Sequence, residues 1–167
     1  FNSLNTFVTS EPPYYSTFLM GNISGSLNKK SSWFMSAFQR NTQANSIVNA
    51  ELLDTSGQSY NFSQAVSNPQ SRLDLSPRLD LQITPNNTLT VRYMYDRVKN
   101  TNDGVSQFAL PTQGYNTLNQ EQTLQMSDTQ VLGAHVINET RFQYIRDRDS
   151  QTPEDVTPTV TVSGAFT

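Results

Sequence analysis

The sequence predicts an all-β fold, an antiparallel meander of about six strands joined as three hairpins. Three observations predict it. Apolar and polar residues alternate with period two in three pairs of segments. Short turn-forming clusters take turns with long polar connections. No apolar run approaches the roughly 18–20 residues of a membrane-spanning helix.

The first hairpin pairs 14–27, YYSTFLMGNISGSL, with 32–50 across NKKS at 28–31. Its second arm is the least regular, because Trp33, Phe34, Met35 and Phe38 do not sort onto one face. The second hairpin pairs 71–84 with 88–98 and turns at Pro85, Asn86 and Asn87. One face carries Leu79, Leu81, Ile83, Leu89, Val91, Tyr93 and Tyr95. The other carries Arg78, Asp80, Gln82, Thr84, Thr88, Thr90, Arg92, Met94 and Asp96. A three-residue loop sets Thr84 opposite Thr88, Ile83 opposite Leu89, Leu81 opposite Val91 and Leu79 opposite Tyr93. Asp80 then lies opposite Arg92. A two-residue turn would put each apolar residue opposite a polar one, because a one-step slip exchanges the faces.

The third hairpin pairs 122–136 with 140–149 across Ile137, Asn138 and Glu139. The same parity sets Val136 opposite Thr140, Ala134 opposite Phe142, Leu132 opposite Tyr144 and His135 opposite Arg141. Segments 51–70, 99–121 and 150–167 read as long loops or tail. Short turns at one end and long loops at the other suit a membrane β-barrel. The alternative is a soluble β-sandwich or jelly roll, with the same apolar face turned to a protein core.

Composition narrows the function. Hydrophobic residues make 35% of the 167, charged residues only 15%, and the net charge is −3. Neither a nucleic-acid partner nor a polybasic membrane patch fits that balance. Cysteine is absent and histidine occurs once. Thiolate metal sites and disulfides are thereby excluded, and Cys–His or Ser–His pairs lose most of their members. We expect no enzyme and no cofactor. Asp147 and Asp149 share parity on one strand face, as an acid–base pair would need, but the interleaved Arg146 and Arg148 mark a solvated strand end. NTNDG at 100–104 has the wrong spacing for a calcium loop and reads as a turn. Thr112–Asn116, TQGYN, offers amides and an aromatic ring suited to carbohydrate, or to plain solvation. Asn22, Asn61, Asn86 and Asn138 open Asn-X-Ser/Thr triplets, common by chance in so Asn-rich a chain.

The stretches SPRLDLQITPNNTLTVRYMYDR (76–97), FALPTQGYNT (108–117) and INETRFQYIRDRDSQT (137–152) occur in that order. Together they resemble TonB-dependent outer-membrane receptors that carry a carboxypeptidase-regulatory-like N-terminal domain. PPYYSTFLMGNISGSLNKKSSWFMSAFQR (12–40) is similar to the stretch where such a chain enters its barrel, and SIVNAELLD (46–54) to the next segment of that barrel. The resemblance spans essentially the whole chain. It implies a barrel of about 22 strands with a plugged lumen, energised from the inner membrane of a Gram-negative bacterium. About six strands fit in this chain, and neither a plug nor an energy-coupling segment is recognisable. The expectation is therefore a barrel segment for ligand capture and import, not a transporter alone. The rival is a secreted or surface-assembled β-sandwich for glycan binding, adhesion or assembly.

The resemblance further implies that Leu79, Leu81, Ile83, Leu89, Val91 and Tyr93 face lipid, with Asp80 and Arg92 inside. Tyr93, Tyr95 and Tyr144 would join an interfacial girdle. Implied partners are outer-membrane lipid, the remaining barrel strands, a TonB-type energy-coupling system reached through other parts of the receptor, and an unidentified ligand. Unpaired sheet edges add self-association as an expectation.

Overall fold

The computed structural model describes residues 6–7 and 11–163. Eight strands form among these residues: β1 Tyr15–Asn28, β2 Ser31–Gln43, β3 Asn45–Leu53, β4 Ser59–Ser67, β5 Gln70–Thr84, β6 Asn87–Asp103, β7 Tyr115–Leu132 and β8 Val136–Pro153. Six make one antiparallel sheet in the order β1-β2-β5-β6-β7-β8, and β3 and β4 form a separate hairpin. The expected strand 32–50 is thus two strands that break at Ala44. Segment 51–70 holds β4, and residues 150–153 belong to β8. The connection expected over 99–121 contracts to the stretch between β6 and β7, with a 3-10 turn at Pro111–Gln113.

Strand length decides the architecture. β7 and β8 have 18 residues each. At about 3.3 Å per residue they reach roughly 60 Å, and a tilt of about 45° still leaves a rise above 40 Å. That exceeds the ~30 Å hydrocarbon layer. Sandwich strands are usually far shorter.

Both outer edges, β1 and β8, are unpaired among the described residues. The chain exposes 11714 Å². A compact monomer of its mass, 18.8 kDa, would expose about 8,300 Å². The excess follows from a single open layer: Leu19 is 73% exposed and Phe142 55% exposed. No second sheet lies across either face of the described sheet; the β3–β4 hairpin meets it chiefly at β6.

Register separates the faces as the alternation predicted. Trp33, Leu79, Val91, Met126 and Phe142 are successive partners in one row of the apolar face. The adjacent row carries Tyr93, Leu124 and Tyr144. On the polar face, Asp74, Asp96, Glu121 and Asp147 stand side by side across β5 to β8. Trp33 and Met35 lie on the apolar face, whereas Phe34 and Phe38 join Phe18 and Met20 on the polar one. That is why β2 showed no clean pattern.

Two expected turns differ. In the second hairpin Leu81 pairs with Leu89, Leu79 with Val91, Asp80 with Thr90, Arg78 with Arg92, and Thr84 with Asn87. The turn is the two residues Pro85 and Asn86, and a bulge between Gln82 and Thr84 takes up Ile83. One looped-out residue restores the parity that a two-residue turn alone would break. Asp80 therefore does not face Arg92. The ladder to β6 also skips Ser76 and Pro77, where the proline ring leaves no N–H to donate.

In the third hairpin the turn is Gly133, Ala134 and His135, and Leu132 pairs with Val136. Gly133 has φ +76, which a side chain there would resist. Phe142 consequently faces Met126, Tyr144 faces Leu124, and Arg141 faces Ser127. His135 is a turn residue, not a strand residue opposite Arg141. Ile137, Asn138 and Glu139 belong to β8.

Candidate functional site

The only buried apolar cluster among the described residues lies outside the sheet, at the long-loop end. Val48 and Ala50 of β3 are 0% and 2% exposed, and Val105 of the β6–β7 connection is 6% exposed. Leu52, Phe62, Val66 and Leu110 pack around them. Period two places Val48, Ala50 and Leu52 on one side of β3, and their cross-strand neighbours bring Phe62 and Val66 to the same side. The Asn49 N–H donates to the Gln107 carbonyl at 2.8 Å, tying hairpin to connection.

Local chemistry fixes each piece. At the tip of β3–β4, Asp54 Oδ1 accepts from the Ser56 N–H at 2.8 Å, the Ser56 hydroxyl at 2.6 Å and the Gln58 N–H at 2.9 Å. The Ser56 hydroxyl first, then the Gln58 amide, hold the Asp54 carboxyl below the usual carboxylate range. At the base, the Asn102 amide donates to the Ser67 carbonyl at 2.7 Å, with Asn102 itself at φ 57. Gly104 has φ +86, and a Cβ there would lie 2.6 Å from Tyr115 Cε1. NTNDG is thus a bulged strand end that turns the chain into the connection.

A cleft of about 590 Å³ opens between residues 110–115 and the segment after β8. Its polar lining includes Thr112, Gln113, Tyr115, Gln151, Asp155 and Thr157. The Glu154 N–H donates to the Gly114 carbonyl at 2.8 Å, and Gln113 Nε2 donates to Thr159 Oγ1 at 3.3 Å. The Asn116 amide donates to the Glu154 carboxylate. Among the described residues no basic side chain and a single carboxylate line the cleft; that carboxylate, Asp155, accepts the Thr157 N–H at 2.8 Å. A second hollow, about 730 Å³, lies between residues 11–15 and β4.

The polar face presents its own arrangement. Arg72 bridges Asp74 at 3.1 Å and Asp96 at 2.8 Å. Arg78 pairs with Asp80 at 2.9 Å, and the Thr90 hydroxyl donates to the same oxygen at 2.8 Å. Asp147 and Asp149 do share this face, beside Asn119, whose amide donates to Asp149 at 2.6 Å. Arg146 and Arg148 point the opposite way by strand parity. No three His, Asp or Glu side chains among the described residues converge as metal ligands. Of the features read from sequence, Thr112–Tyr115 line the cleft, while His135 sits in a turn at the far end. Residues after β8 carried no motif, and their part in the cleft follows only from the ladder that returns them to Gly114.

Strands long enough to cross a bilayer, apolar on one bare face and charged on the other, are wall strands of a transmembrane β-barrel. The chain belongs to the outer membrane beta barrel domain family, which it matches over residues 4–166. No curated protein and no solved structure matches it. It is a protein of the bacterial outer membrane.

Proposed function

We propose that the chain is a wall segment of a TonB-dependent receptor and takes part in ligand capture and import without catalysing a reaction. The observation that carries this reading is the position of the buried cluster. Val48, Ala50 and Val105 stiffen the loop end rather than the sheet. An ordered mouth binds with less loss of loop freedom than a mobile one. The cleft at Tyr115, rich in amides and hydroxyls and without a cation among the described residues, suits a neutral hydroxyl-rich ligand such as an oligosaccharide.

On this reading the apolar face meets lipid, the polar face lines the lumen, and further strands of the receptor pair with β1 and β8. Energy coupling enters through other parts of the receptor. The test is nutrient depletion. Cells with and without the intact receptor are grown on a mixture of neutral oligosaccharides and peptides, and the spent medium is compared. Selective loss of an oligosaccharide only in receptor-bearing cells, abolished by a protonophore, is the expected result. Depletion that survives the protonophore would make the barrel a passive pore. Peptide depletion alone would overturn the ligand class.

A further inference from the structure

Beyond the apolar band, on the same face, four cations stand together. Arg97 and Lys99 are on β6, and Arg146 and Arg148 are on β8. Register places Arg97, Gln120 and Arg148 in one row, with Tyr95, Gln122 and Arg146 in the row beneath. Arg97 and Arg148 are two strand spacings apart, about 10 Å, with Gln120 between them. Gln120 donates to the Tyr95 hydroxyl at 3.0 Å, which fixes the middle of the group.

None of the four makes an ion pair or side-chain hydrogen bond among the described residues. The carboxylates that register brings nearest, Asp96, Glu121, Asp147 and Asp149, are all on the opposite face. The acid on the same face of β7, Asp128, is eight residues from Gln120, about 27 Å along the strand. Going toward the long loops along β6, this face therefore reads aliphatic, then tyrosine, then unpaired cation, with Leu73 of β5 beside Arg97. Hydrocarbon, interface and anionic headgroup succeed one another in the same order.

We propose that Arg97, Lys99, Arg146 and Arg148 bind phosphate groups of lipids in the leaflet on the long-loop side. Guanidinium groups from β6 and β8 take phosphate oxygens by paired N–H donors, and Lys99 adds a point charge. The proposal rests on the apolar face meeting lipid, so its test must separate the two.

The intact receptor, in zwitterionic detergent, is titrated with phosphatidic acid and with the matching neutral diacylglycerol, and bound lipid is read by native mass spectrometry. Phosphatidic acid should bind and diacylglycerol should not. R97Q/K99Q/R146Q/R148Q should lower the affinity about a hundredfold or more, while R97K/R146K/R148K, which keeps the charge but loses the paired donors, should fall between the parent and the Gln variant. D147N/D149N, on the other face, should change nothing, and retained heat-modifiability identifies folded variants. Equal binding by the parent and the quadruple Gln variant would overturn the proposal. Displacement of the lipid by millimolar inorganic phosphate would overturn the lipid as occupant and leave a free-anion site. A nitroxide label at Val91 that a lipid-soluble quencher fails to reach would instead sink the lipid-facing assignment itself.

Discussion

Single residues matter most where the backbone leaves the ladder. Gly104 combines a left-handed φ with the ring of Tyr115 where a Cβ would lie. Gly104→Ala should cost at least the ~1–2 kcal/mol of a left-handed non-glycine residue, with the ring contact adding to it. Faster amide exchange at Val105 and Gln107, with the sheet unchanged, is the expected readout. Asp54 gives a pH prediction. Its carboxyl is held below the ordinary range by the Ser56 hydroxyl and the Gln58 amide. Its contribution is therefore complete above the unfolded-state value and lost as pH falls through the lower folded value. Exchange of the Ser56 and Gln58 amides, normalised for intrinsic rate, should accelerate below about pH 4. In Asp54→Asn that pH dependence should disappear.

At the scale of elements, the hairpin β5–β6 tests the lipid face. Nitroxide labels placed singly from 88 to 96 in the reconstituted barrel should alternate in contact with lipid-soluble oxygen, high at Leu89, Val91 and Tyr93 and low at Thr90 and Arg92. Val91→Arg should destabilise the folded barrel by roughly 2–4 kcal/mol, the cost of a cation at mid-membrane depth, measured by denaturant titration in lipid. The faces of this hairpin were legible in the sequence, since period two survives any register that keeps parity. Its turn was not, because the bulge at Ile83 and a shorter loop shift the pairing together and leave no trace in alternation. Gly133 was the available signal for the third turn, and Asn138–Glu139 outweighed it. The loop-end cluster was hidden for another reason. Val48 and Ala50 follow β2 with only Ala44 between the two strands, and the polar stretch 39–46 carries no Gly or Pro to mark the break. Thr112–Tyr115 were visible as a polar and aromatic group, but their partners beyond Pro153 depend on the pairing of β7 with β8, which no local pattern encodes.

At the scale of the whole molecule, the governing fact is that the described residues form one layer with two bare faces and two free edges. The isolated chain should aggregate in detergent-free buffer and give heat-modifiable β-structure only with detergent or lipid. Sedimentation and near-ultraviolet circular dichroism distinguish these states. A monodisperse species with a fixed tertiary signal in plain buffer would mean that protein already covers the apolar face, by edge-to-edge assembly of copies or by a second layer.

The directions of the edge strands carry one more consequence. β1 runs from the long-loop end toward the short turns, and five alternations later β8 runs back. The seam is therefore antiparallel before any other strand is counted. Only an even number of additional strands preserves that alternation around a closed ring; an odd number would force one neighbouring pair to run the same way. A barrel completed from this wall has an even strand count, whatever its circumference.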